Sequence, residues 1–223
     1  MKLNSQLKSA FIPSLSIITT IFISPLVLAH PGKVAVNSPD STQQVILSKV
    51  PKLAQLSSPA EERSQLIQQA NILSSQGDFS GAEANLRNVI KKFPRYAFAH
   101  FELGNILSKQ NQPEAAIEAY QEAIRLNSNY ALAYNGIGLV YANQNRWEEA
   151  ITAYQKALDI NPNYADALAN SAVALLQNNQ ESEGIASLEK ALDIFKSQSR
   201  NERVLQIEQV LQEIKNSVQP NIS

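Results

Sequence analysis

The 223-residue chain contains no cysteine, one tryptophan, one methionine and only two histidines. Without cysteine it has no disulfide, no thiolate metal ligand, no cysteine nucleophile and no lipid-modified cysteine. Seven glycines and ten prolines exclude a low-complexity or collagen-like chain. A formal net charge of −1 excludes a strongly basic phosphate-binding surface. Charged residues make up 17% and hydrophobic residues 44%. That balance suits a globular domain or a short repeat array. No G-x-S-x-G, H-E-x-x-H, Walker loop or dinucleotide fingerprint occurs. His30 would be the first residue after a leader cut at Ala29, and His100 falls in an apolar packing column. Neither suggests a metal site, and no cofactor is expected. Gly136 and Gly138 form a lone G-x-G inside a helical pattern, where phosphate binding is not expected. Glu148 and Glu149 fit the first turn of a helix, where carboxylates favour the dipole, and Trp147 fits a core position.

The N-terminus carries Lys2 and Lys8, then no formal charge from Ser9 to Gly32 around the apolar stretch SIITTIFISPLVLA. Residues 1–29 read as a secretory signal peptide cut after Ala29. The alternative is an uncleaved membrane anchor through residues 9–29, although Pro13 and Pro25 interrupt a run that needs ~20 apolar residues to span. Either reading exports the remainder, to a periplasmic, lumenal or secreted location. Residues 30–57 are rich in breakers and polar residues and read as a linker.

The chain then repeats itself. The stretch EAAIEAYQEAIRLNSNYALAY from Glu114 is echoed by EEAITAYQKALDINPNYADAL from Glu148, 34 positions later. Sliding by that period gives four copies within residues 58–198, over 63–96, 97–130, 131–164 and 165–198. Apolar residues within each recur at three and four, the period of a helix. Each copy therefore holds two helices, with turns near QGD, QNQP, QNRW and NNQE. Small residues align at Ala70, Gly104, Gly138 and Ala172, at Ala82, Ala116, Ala150 and Gly184, and at Val89, Ala123, Ala157 and Ala191. They let helix axes approach to ~8–10 Å. Large residues fill the space beside them: Leu73, Leu107, Tyr141 and Leu175 in one column, Leu86, Tyr120, Tyr154 and Leu188 in another. Pro94 and Pro162 close two copies. Ser128 replaces proline in the second, where a softer boundary is expected.

Ser58-Pro59-Ala60-Glu61 forms a capping box that starts the first helix near Pro59. Ser199-Arg200-Asn201-Glu202 is expected to form a second one. It would open a capping helix within residues 199–223, with Val204, Ile207, Val210, Leu211 and Ile214 covering the last apolar face of the array.

The pattern resembles the tetratricopeptide repeat. ALAYNGIGLVYANQNRWEEAITAYQKALDINPNY carries Tyr134, Ile137, Gly138, Tyr141, Ala150, Tyr154, Ala157 and Pro162 at the family's signature positions. The outer copies depart from it: Gln69 and Ser171 stand where leucine is usual, and Lys196 where proline is usual. Terminal repeats are often atypical. The resemblance implies an all-α, right-handed solenoid whose first helices line a concave groove that binds an extended peptide or a partner's helix. The inward column runs through Ser64, Ile67 and Asn71, then Phe98, Phe101 and Asn105, then Leu132, Asn135 and Leu139, then Asp166, Ala169 and Val173. Asn71, Phe98, Phe101, Asn105, Leu132, Asn135 and Leu139 are the candidate partner-binding residues, since asparagine pairs with both peptide groups. The same asparagines would serve equally as solvated helix positions.

Chaperone adaptors of this family clamp a C-terminal carboxylate with lysine, asparagine and arginine. Here those places hold Ile67, Asn71, Glu102, Leu132 and Gly136, or one copy later Phe101, Asn105, Gly136, Asp166 and Asn170. Neither set supplies the cations, so carboxylate clamping is excluded and an apolar or amide-contacted ligand fits better. The expected function is a non-enzymatic protein-interaction scaffold or assembly factor. A self-associating or membrane-tethered spacer is the alternative, and an enzyme using the array as a platform the weakest reading. No nucleic acid is expected among the partners.

Overall fold

The computed structural model describes residues 58–218. The expected leader (1–29) and linker (30–57) lie outside the described residues. Among those described there are nine helices and no strand: α1 Pro59–Ser75, α2 Phe79–Lys92, α3 Ala97–Lys109, α4 Pro113–Leu126, α5 Ala131–Asn143, α6 Trp147–Ile160, α7 Ala165–Gln177, α8 Glu181–Ser197 and α9 Asn201–Val218. None is long and apolar enough to cross a membrane.

Each helix packs mainly on its chain neighbour, so the fold is a one-dimensional stack. The first helices of successive pairs also touch, α3 with α5 and α5 with α7. That contact puts them on the inside of the bend. The chain is thus the α-solenoid that the 34-residue period implies.

The two helices of a pair are joined by a Schellman turn. Gly77, Asn111, Asn145 and Asn179 each take a positive φ there. The following residue closes a six-to-one bond, as in Arg146 N–H to Tyr141 O at 2.9 Å and Gln180 N–H to Leu175 O at 2.8 Å. Glycine and asparagine tolerate this left-handed backbone better than other residues. Between pairs the turn differs. Asn127 and Asn161 each accept a bond on Oδ1 from the backbone N–H two residues on, both at 3.2 Å. The Asn127–Tyr130 turn has the same geometry as Asn161–Tyr164, with Ser128 standing where Pro162 stands in the other.

Ser58 caps α1 as expected: its Oγ accepts from Glu61 N–H, and Glu61 returns a carboxylate to Ser58 N–H at 2.7 Å. The second expected box does not form. Ser199 takes φ 56°, and its neighbour Arg200 closes a six-to-one bond to Phe195 O at 3.0 Å. Ser199 is therefore the left-handed residue of a fifth Schellman turn, and α9 begins at Asn201. The difference lies upstream. The first and third copies end at Pro94 and Pro162 and the second at the Asn127 side-chain turn, whereas the fourth has neither proline nor asparagine there, and α8 runs to 17 residues where α2, α4 and α6 have 14. The chain then turns through Gln198-Ser199-Arg200, the counterpart of Gln144-Asn145-Arg146. Helix α9 still covers the end of the stack, burying Ile207, Val210 and Ile214 against Leu168, Val173, Leu188 and Phe195.

The small-residue columns are the axis of the core. Ala82, Ala116 and Ala150 are fully buried, as are Val89, Ala123, Ala157 and Ala191. Beside them the sizes trade off. Ala70 and Ala172 stand in the repeats that carry Leu86 and Leu188, whereas Gly104 and Gly138 lie under the rings of Tyr120 and Tyr154. A ring needs the space that a methyl group would occupy.

Candidate functional site

The inner face is built by α1, α3, α5 and α7, and the candidate residues divide there by burial. Phe98, Leu132, Leu139 and Asn71 are half-buried, and the three apolar ones pack on the edge of the core. Phe101 is only 5% exposed. It sits in a chain of rings, 6.2 Å from Phe98, 5.9 Å from Tyr120 and 5.3 Å from Tyr130 in an edge arrangement. Tyr96 extends the chain, 5.9 Å from Phe98. Such pairs add about 0.5–1.5 kcal/mol beyond burial. Phe101 is thus the floor of the groove, and Phe98 its half-buried lip.

Two of the asparagines are already engaged. Asn105 Oδ1 accepts the Tyr120 hydroxyl at 2.8 Å, and its Nδ2 donates to Glu102 Oε2 at 3.3 Å. Asn135, itself buried, accepts on Oδ1 from Asn170 Nδ2 at 3.1 Å, which ties α5 to α7. Among the described residues Asn170 Oδ1, itself buried, has no hydrogen-bond partner. An orphaned acceptor of this kind costs about 1–3 kcal/mol.

Glu102, at one of the clamp places but outside the candidate row, matters to the electrostatics. Burial pushes its carboxyl above the usual carboxylate range, and the Asn105 bond and the Lys109 charge offset this only partly. It lies close enough to Tyr120 and Tyr130 to add to the effect of burial, which raises both phenols well above their ordinary value. Periodicity points to Glu102 weakly: it belongs to the column of Gln68, Gly136 and Asn170, which shares no residue type. Tyr96, Tyr130 and Tyr164, one at the end of each of the first three copies, give a plainer signal.

At the far end of the groove Asp166 is occupied. Arg200 donates to it at 2.8 and 3.3 Å, and Arg203 at 2.9 Å. Burial alone would raise this carboxyl, but the two guanidinium groups outweigh it and hold the value low. Both cations also stand over the Phe195 ring, at 4.6 and 5.7 Å. The array end is therefore latched to α9.

His100 is buried, with Nε2 3.1 Å from Pro94 O, in the packing place its column indicates. Gly136 and Gly138 lie within α5 beneath tyrosine rings. Glu149 pairs with Arg146 at 2.8 Å in the first turn of α6. Among the described residues no cluster of three or more histidine, aspartate or glutamate side chains could hold a metal ion.

No curated protein sequence matches this chain. Among solved structures it is similar to MamA, at 25% identity and a TM-score of 0.56, over 71% of this chain and 86% of that one. It is similar in fold to MamA, residue 41 to the end, from Desulfovibrio magneticus RS-1, at 24% identity and a TM-score of 0.54, over 61% and 77%. The tetratricopeptide repeat model matches residues 67–131, 101–165 and 135–199. These overlapping matches run unbroken through the helices that build the groove, and the chain belongs to the tetratricopeptide repeat family.

Proposed function

We propose that the concave groove of α3 and α5 holds an extended peptide or a helix of a partner protein, and that the chain acts as an exported assembly factor without catalysis of its own. Tetratricopeptide arrays are protein-interaction scaffolds in general, and this chain is one. The observation that carries the finer reading is the half-buried row of Phe98, Leu132 and Leu139 on the inner face. These apolar side chains pack on the edge of the core beside Phe101 and keep part of their surface open to a ligand. The export reading rests on residues 1–29 of the sequence alone.

The test is a pull-down with the full-length chain from an extract of its source cell, beside a Phe98→Ala, Leu132→Ala variant of unchanged helicity. Both side chains are half-buried at the edge of the core, so their truncation disturbs it less than Phe101→Ala would. A partner kept by the parent and lost by the variant supports the groove. Equal retention by both moves binding to another face.

A further inference from the structure

The aromatic floor of the groove ends on a carboxylate that, among the described residues, has no cation in direct contact. Glu102 accepts one hydrogen bond, the long one from Asn105 Nδ2 at 3.3 Å, and among the described residues it forms no ion pair. Asn105 is held in that orientation from its other side, by the Tyr120 hydroxyl. Of the cations nearby, Lys109 acts on Glu102 through its charge but makes no direct pair with it. Its Nζ donates to Ser74 Oγ at 3.0 Å and stands 5.8 Å from the Phe79 ring. Arg63 lies over the Tyr96 ring at 4.1 Å. A partly desolvated carboxylate beside Phe101, Tyr120 and Tyr130 therefore lacks the partner that such groups ordinarily have.

A carboxylate beside aromatic faces is the chemistry that recognises a cation. The ring quadrupole attracts the charge, and the carboxylate supplies the directed bonds. The protein uses the same combination internally. Arg146 lies 4.4 Å over Tyr141 while paired with Glu149, and Arg200 lies over Phe195 while paired with Asp166. Guanidinium suits the arrangement better than ammonium, being planar, weakly hydrated and able to bond a carboxylate in two places.

We propose that Glu102 and the rings around it form a receptor for a basic side chain, arginine in preference to lysine, carried by the protein segment that occupies the groove. This rests on the groove reading and gives it a selectivity. Acidic segments and free C-terminal carboxylates are repelled at the place where a cation is bound.

The test is selection of a random peptide display library on the immobilised full-length chain, followed by affinity measurement on enriched peptides. The expected peptides carry arginine or lysine. Replacing that residue by glutamine weakens binding to the parent about tenfold, the loss of one charge-assisted contact. The same replacement costs nothing against Glu102→Gln, whose helicity is unchanged, and Glu102→Asp restores part of the discrimination. If enriched peptides are lost on Phe98→Ala, Leu132→Ala but the replacement costs the same with and without Glu102, the inference is overturned and the groove reading stands. Peptides indifferent to all the variants, or a selection that enriches none, overturn both.

Discussion

The ring of Tyr154 occupies the place where Gly138 would carry a side chain. A Cβ built on Gly138 would lie 2.4 Å from Cε1 and 2.6 Å from Cδ1 of that ring. The alanine in the same column of the fourth repeat, Ala172, pairs instead with Leu188. Glycine in a helix costs ~1 kcal/mol against alanine, and here the packed ring offsets that cost.

Gly138→Ala is accordingly expected to destabilise the array. The overpacking of about 1–3 kcal/mol exceeds the helical gain of ~1 kcal/mol. Gly138→Ala with Tyr154→Leu copies the Ala172–Leu188 arrangement and recovers most of the loss. Urea unfolding followed by circular dichroism measures both. Additive losses in the double variant would show that ring and glycine do not share one space.

The packing columns were legible in the sequence because each is fixed by one helix contact that recurs every 34 residues. A small residue at Ala116 or Ala150 means the same thing in each copy. The groove was legible only in direction. Position along α3 and α5 says that Phe101, Asn105 and Asn135 point inward. It does not say what covers them, because that depends on a residue elsewhere in the stack. Tyr120 and Tyr130 close over Phe101, Tyr120 takes the Asn105 oxygen, and Asn170 takes that of Asn135. Ser199 shows a different failure. Its letters fit a capping box, yet they also fit the Schellman turn at Asn145, and the unbroken α8 decides between the two.

That decision gives a substitution of opposite sign at two serines. Ser58 bonds the first turn of α1, and Ser58→Ala is expected to cost about 0.5–2 kcal/mol. Ser199 sits at φ 56°, where a side chain is strained by about 1–2 kcal/mol. Ser199→Gly relieves this at some cost in unfolded-state entropy, so a net gain of about 0.5–1 kcal/mol is expected. A loss of thermal stability in Ser199→Gly would restore the capping box.

The Asn135–Asn170 pair makes an asymmetric prediction. Asn135→Ala strands Nδ2 of Asn170 beside an oxygen that already has no partner. Asn170→Ala strands the Asn135 oxygen but also removes the orphan. Asn135→Ala should therefore cost more, within the range of about 1–3 kcal/mol for a buried unpaired group. The double variant should cost less than the sum of the two, by about 0.5–3 kcal/mol of coupling. Equal single costs that add without coupling would mean that the two amides do not act as a pair.

The latch at Asp166 fixes a pH dependence. Burial would raise this carboxyl, but Arg200 and Arg203 outweigh burial and hold it below its ordinary value of 3.8. A carboxyl depressed by folding contributes stability that is fully present above the unfolded value, and the contribution is lost as pH falls through the lower folded one. Asp166 and Arg203 are 16% and 18% exposed, while Arg200 is 41% exposed and screened by water. The pair with Arg203 therefore carries most of the effect. Asp166→Asn is expected to cost about 1–2 kcal/mol at neutral pH, between the values for surface and buried pairs. The gap from the parent should close only below about pH 4, as the parent's own carboxyl protonates. Hydrogen exchange localises the effect: amides of α9, which Arg200 and Arg203 tie to α7, should lose protection first. A gap that persists unchanged to pH 2 would mean that Asp166 acts by packing and not by charge.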